Sequence, residues 1–177
     1  MVYSERPLYG LTRVLETGAP PNPALRSFGL KAVCHMVYIS TDCADDLSAQ
    51  ASELVRFERP AAQKQCPPPP MLKHEHKWFV GSKFGCSCAF RHLPRESVEL
   101  GFRKSEDWYP EAPEHLDATR LLYGTLNNLI QRGYRVDLLD CWSGDENKDV
   151  VALDVSLSQV SADHFRMFEG HLFNLTP

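Results

Sequence analysis

Apolar positions along this chain follow two rhythms, one of period two and one of period 3.6, separated by breaks rich in proline and glycine. The first strand pattern begins at Val33. Val33, Val37 and Ile39 alternate with Cys34, Met36 and Tyr38, and both sets are largely apolar, which suits a strand covered wholly or partly on both faces. Ser40-Thr41-Asp42 then offers a helix N-cap, with Asp45 and Asp46 placed for the helix dipole. Leu47, Ala51, Leu54 and Val55 follow at helical spacing and predict a helix to about Phe57.

The proline run Pro67-Pro68-Pro69-Pro70 reads as a stiff spacer that cannot enter a sheet interior. Strand pattern resumes at Lys77 with Trp78-Phe79-Val80. A turn is expected at Gly81-Ser82, a strand from Phe84 to Phe90, and a short one from Val98 to Phe102. The strongest helical signal covers 113–132. Pro113 occupies its first turn, Gly133 lies just past its end, and Leu116, Thr119, Leu122, Tyr123, Leu126, Leu129 and Ile130 form its apolar stripe. Strands follow from Tyr134 to Trp142 and from Val150 to Leu157, then a short helix from Ser161 to Glu169 and a last edge strand from His171 to Leu175.

Strand pairs alternating with single helices indicate an α+β fold, a mostly antiparallel sheet with helices packed on it. A ferredoxin-like β-α-β-β-α-β core fits the central stretch. Residues 1–31 read differently, because Ala19-Pro20-Pro21-Asn22-Pro23 supports neither helix nor central strand. We expect a loosely ordered N-terminal arm there, or a start assigned too far upstream, followed by a single α+β domain over 32–177.

Composition narrows the function classes. With 43% hydrophobic and 24% charged residues among 177, the chain resembles a soluble globular protein. No run reaches the roughly 18 apolar residues of a membrane span. Arg6, Pro7, Arg13 and Glu16 interrupt any export signal, so a reducing cytoplasm is the expected compartment. The net charge of −4 argues against nucleic acid as a partner. The sequence names no other partner, and assembly into a homo-oligomer is left open.

The candidate chemistry is concentrated in Gly85-Cys86-Ser87-Cys88-Ala89-Phe90-Arg91-His92. If this stretch is extended, period two places Phe84, Cys86, Cys88, Phe90 and His92 on one face. Cys86 and Cys88 are then poorly spaced for a disulfide but can tilt toward a shared ion. With His92, and with Cys34 or His35 from the first strand, they form a ligand set for a zinc-type ion. The Cys-x-Cys spacing is tighter than that of structural zinc motifs, and the ordinary alternative is two thiols filling gaps beside aromatic rings.

A rival reading makes the protein a small cysteine-dependent enzyme, with Cys86 or Cys88 as thiolate and His35 or His92 as base. Asp140 then orients the base. It shares a strand face with Tyr134, Val136, Leu138 and Trp142, where a carboxylate needs a partner, unless the strand ends near Leu139 and Asp140 caps it in solvent. Arg91 is the available cation, but the strand pattern turns it to the opposite face. His74-Glu75-His76 is a weaker metal pattern that reads as exposed loop. Trp108 and Tyr109 before the long helix suit a pocket wall, an interaction surface or a plug over a sheet end. A third reading is therefore a non-catalytic interaction domain using those aromatics.

Overall fold

A computed structural model of the protein describes residues 34–60, 68–105 and 111–177. The core is a six-stranded mixed sheet built from β1 (His35–Thr41), β2 (Val55–Glu58), β3 (His76–Ser82), β5 (Val136–Trp142), β6 (Val151–Ser156) and β8 (His171–Thr176). Their spatial order is β2-β3-β1-β5-β8-β6. Every neighbouring pair is antiparallel except β6 and β8, which run parallel. A second sheet joins two short parallel strands, β4 (His92–Leu93) and β7 (Met167–Phe168).

The period-two pattern of β1 sorts its side chains. Val37 and Ile39 enter the main core with Leu138 of β5 and Val80 of β3, whereas Met36 and Tyr38 face a smaller cluster with Phe79, Leu139, Cys141 and Leu172. The main core is closed by α1 (Pro113–Gln131), whose Leu122, Leu126, Leu129 and Ile130 come from the predicted apolar stripe and are joined by Ala118. Leu93, Met167 and Phe168 of the small sheet join the same core. The two short strands and the helix therefore cover the face of the large sheet to which odd-numbered β1 residues point. On the opposite face, Met71 and Leu72 pack against the smaller cluster.

Asp137 secures that segment to the sheet. It accepts hydrogen bonds from the Ser40 hydroxyl at 3.2 Å and the Lys73 amide at 3.1 Å. His74 Nε2 lies 3.5 Å from its other carboxylate oxygen. Asp137 and Ser40 are both buried, so this polar cluster is satisfied internally.

Several sequence expectations change. The helix predicted over residues 42–57 is a single 3-10 turn, Leu47–Gln50, followed by β2. The Ser52 hydroxyl accepts the amides of Leu54 and Val55, ending the turn, and Val55 and Phe57 then point inward at strand spacing. The strand expected at 98–102 is mostly a 3-10 helix, Arg95–Leu100. The helix expected at 161–169 is one turn that gives way to β7.

Strand β8 is not an edge strand but lies between β5 and β6. The fold is thus α+β and mostly sheet. Among the described residues there is one α-helix, so the two-helix ferredoxin-like arrangement is not what the chain forms. No helix among them is long and apolar enough to cross a membrane. The expected arm at residues 1–31, together with Trp108 and Tyr109, lies outside the described residues.

Candidate functional site

Between β3 and β4 the chain does not continue as a strand. It makes a sequence of turns and bends through residues 83–90. Gly85 takes φ 89°, a left-handed value that side chains resist, and a Cβ there would sit 3.2 Å from the Arg56 guanidinium. The one-face reading of Phe84 to His92 fails for this reason. Phe84 is 65% exposed, whereas Phe90 is buried at 2%.

Two serines hold the loop. The Ser82 amide and hydroxyl both donate to the Cys86 carbonyl, at 2.7 and 2.6 Å. Ser87, fully buried, is bonded at every polar group. Its amide donates to the His35 carbonyl at 3.0 Å. Its hydroxyl accepts the Val37 amide at 2.8 Å and donates to the Val80 carbonyl at 2.7 Å. Its carbonyl accepts His92 Nε2 at 2.8 Å. Val37 and Val80 are the last paired residues between β1 and β3, so the hydroxyl bridges the two strands where their ladder ends.

Fixing Ser87 fixes the cysteines on either side of it. The sulfurs of Cys34, Cys86 and Cys88 lie within 4.8 Å of one another, all at half-buried residues. The His35 amide donates to the Cys88 sulfur at 3.3 Å. Burial opposes charge on both loop thiols. At Cys86 it is outweighed by hydrogen bonds from the Cys88 side chain and backbone and from Cys34, so its pKa falls below the usual thiol value. Burial and the adjacent Cys86 push Cys88 up to about 12. The two shifts belong to one coupled pair, in which the first negative charge settles on Cys86 and the second is resisted.

A second polar group lies beside the thiols. Asp140, fully buried, is indeed within β5 and not a solvent cap. Its carboxylate meets His35 Nδ1 at 3.2 Å and His92 Nδ1 at 2.8 Å. The two imidazoles stack with centroids 3.8 Å apart, and Trp142 covers the other side of His35 at 4.0 Å.

Both nitrogens of His92 face acceptors, a carboxylate and the Ser87 carbonyl, so both carry hydrogen and the ring is an imidazolium. Burial opposes that charge. The Asp140 charge and hydrogen bond, with the Ser87 carbonyl, overcome it and raise the His92 pKa above the ordinary 6.5. Burial likewise pushes Asp140 up, but His92 and His35 together hold it below 3.8. A histidine-selective NMR titration is expected to show His92 doubly protonated at pH 6.5, with its midpoint above that value.

The sequence ligand set therefore divides in two. Cys34, Cys86 and Cys88 form one group, and His35, His92 and Asp140 form the other. His35, Cys88 and His92 line one open cleft of about 440 Å³, with Phe90, Ala112 and His115 on its further walls. Arg91 also borders it, yet its guanidinium is fully occupied. It grips Glu111 through Nε at 2.9 Å and Nη2 at 2.7 Å and donates to the carbonyls of Asp163, Phe165 and Arg103. It therefore serves as a buried brace between loop and helix instead of a free cation.

His74 is committed to Asp137 and His76 starts β3, so that histidine pair forms no metal group among the described residues. Cys141 faces the smaller cluster away from the thiols. Ser87 and Glu111 are the site residues that sequence reading misses. A serine between two cysteines carries no signal of strand bridging, and Glu111 is one acid among several before α1. Compared with protein-family models, curated proteins and solved structures, the chain matches none.

Proposed function

We propose that the protein binds a zinc-type ion through the thiolates of Cys34, Cys86 and Cys88, with the fourth position open to the cleft. The convergence of three sulfurs within 4.8 Å from two distant segments carries this reading. Thiolate ligands suit zinc and other soft ions, and three protein ligands with one open position describe a reactive rather than a purely structural site. The bonds around Ser82 and Ser87 hold the loop ready, and the His35 amide at the Cys88 sulfur stabilises a ligated thiolate.

The histidines serve differently. His35, His92 and Asp140 also bring ligand atoms within 4.8 Å of one another, but both nitrogens of His92 are already engaged by Asp140 and the Ser87 carbonyl, which favours the sulfur group. With Nδ1 given to Asp140, His35 keeps Nε2 for the cleft, either as fourth ligand or beside the open position. A carboxylate behind the ring is the usual support of a ligating histidine.

Elemental analysis of protein purified without a metal-affinity column tests this. About one ion per chain is expected, with Cys34, Cys86 and Cys88 alkylating only after a chelator is added. Protein that carries no ion, takes up none from added zinc, and alkylates all three thiols at once would refute it.

One observation favours the second reading, a cysteine-dependent enzyme. Asp140 is bonded to His35 as an orienting carboxylate is to a catalytic base, beside a thiol pair that favours a thiolate on Cys86. Alkylation of metal-free protein at pH 7 is then expected to select Cys86 over Cys34 and Cys88. Equal rates at all three would remove it.

A further inference from the structure

The same three thiols are arranged for a second kind of chemistry, in which the cluster is consumed instead of filled. We infer that Cys34, Cys86 and Cys88 form a hydroperoxide-reactive centre that closes a Cys34–Cys86 disulfide and thereby discharges any bound ion.

Three observations support this. First, the sulfurs already lie within 4.8 Å of one another, so the reaction requires only small side-chain rotations. Second, all three residues are partly exposed, and Cys88 borders the open cleft, so a small oxidant has a route in. The thiols of Cys43 and Cys141 are buried and shielded from the same reagent. Third, the loop geometry selects the pair. Cys86 and Cys88 are separated only by Ser87, whose five hydrogen bonds prevent the backbone from adjusting to a strained ring between such close loop positions. Cys34 lies immediately before β1, where no strand ladder restrains it, although its carbonyl accepts the Ser143 amide at 2.8 Å.

The chemistry balances with a hydroperoxide as oxidant. The Cys86 sulfur attacks the peroxide, an S–O bond forms, the O–O bond breaks, and the alcohol or water leaves with a proton. The Cys34 sulfur then attacks the sulfenic sulfur of Cys86, the S–S bond forms, and water leaves. Two thiols are oxidised and one peroxide is reduced. An ion held by three thiolates loses two of them, leaving Cys88 as its one remaining sulfur ligand. Release of the ion rests on the metal reading above, whereas disulfide formation does not.

The experiment treats the full chain with one equivalent of hydrogen peroxide, both as purified and after chelation. A zinc-sensitive dye reports released metal, and non-reducing peptide mapping after alkylation locates the bonds. The expected result is a Cys34–Cys86 linkage reversed by dithiothreitol, with Cys43 and Cys141 still alkylated as free thiols after denaturation.

Protein that carries no ion, takes up none from added zinc and alkylates all three thiols at once, yet still forms this linkage with peroxide, would refute the metal reading and leave the present inference standing. Peroxide treatment that yields no disulfide within the trio, or yields Cys86–Cys88 at an unchanged rate in Cys34→Ser, would overturn it. Retention of the metal at full occupancy after the linkage has formed would overturn the discharge step.

Discussion

Asp140→Ala is expected to destabilise the protein by about 3–5 kcal/mol, measured by urea denaturation of metal-free protein at pH 6.5. The reason lies in what the substitution leaves behind. Asp140 is fully buried at the shared Nδ1 edge of two stacked imidazoles, and His92, with hydrogen on both nitrogens, loses the carboxylate bonded to it while its side chain remains only 8% exposed. An unpaired ion in such a place costs far more than the pair contributed. Domains of this size are stable by only about 5–15 kcal/mol, so the variant will approach the threshold of folding.

Asp140→Asn separates charge from shape. The amide donates to a neutral His92 Nδ1, which leaves Nε2–H for Ser87, so the network survives at smaller cost. Its signature is in the pH profile. The wild-type His92 pKa is raised above 6.5, so its contribution is complete below that pH and is lost as pH rises through the folded value. Asp140 is lowered below 3.8, so its contribution is present above that pH and is lost as pH falls through the folded value. The alkaline loss is expected to vanish in Asp140→Asn. An asparagine variant whose stability declines with pH above 6.5 as steeply as wild type would show that His92 is not the group responsible.

The second large effect is expected at Ser87→Ala. The hydroxyl accepts from Val37 and donates to Val80, both fully buried. Removing it leaves an amide and a carbonyl without partners in the core, at about 1–3 kcal/mol each. The two cysteines on either side also lose their anchor. Zinc affinity, measured by chelator competition on folded protein, should fall about 10–100-fold, as for other groups that support ligands without touching the metal. A variant with reduced stability but unchanged affinity would show that the thiols are positioned by something other than this rivet.

These two residues also mark how far the sequence could be read. The face shared by Val136, Leu138 and Asp140 follows from period two alone, but period two does not say whether the strand runs past Leu139, and so leaves open whether Asp140 is buried or a solvent cap. The long helix was equally visible, since Pro113, Gly133 and the stripe between them all agree. The Cys86–Cys88 region failed because a tertiary device replaced the local one. Ser82 and Ser87 supply with side chains the bonds a strand would take from its neighbour, and Gly85 turns left-handed between them.

Leu47, Ala51, Leu54 and Val55 fall at helical spacing, and only the Ser52 turn separates Leu47 from the strand pattern of Val55 and Phe57. The division of the five metal candidates into a sulfur group and a histidine group depends on which strands are neighbours. Pairing of β1 with β5 brings His35 opposite Trp142 and Val37 opposite Asp140, and no local pattern encodes that register.

The placement of β8 has a consequence for how the molecule is made. Residues 171–176 are inserted between β5 and β6, both of which precede them in the chain. As the polypeptide emerges from the ribosome, β5 can pair with β1 on one side, but its other edge stays bare and β6 has no neighbour. Both wait for the arrival of His171–Thr176. During that interval an apolar strand edge is open to any other nascent chain, the moment at which such a topology most needs a chaperone.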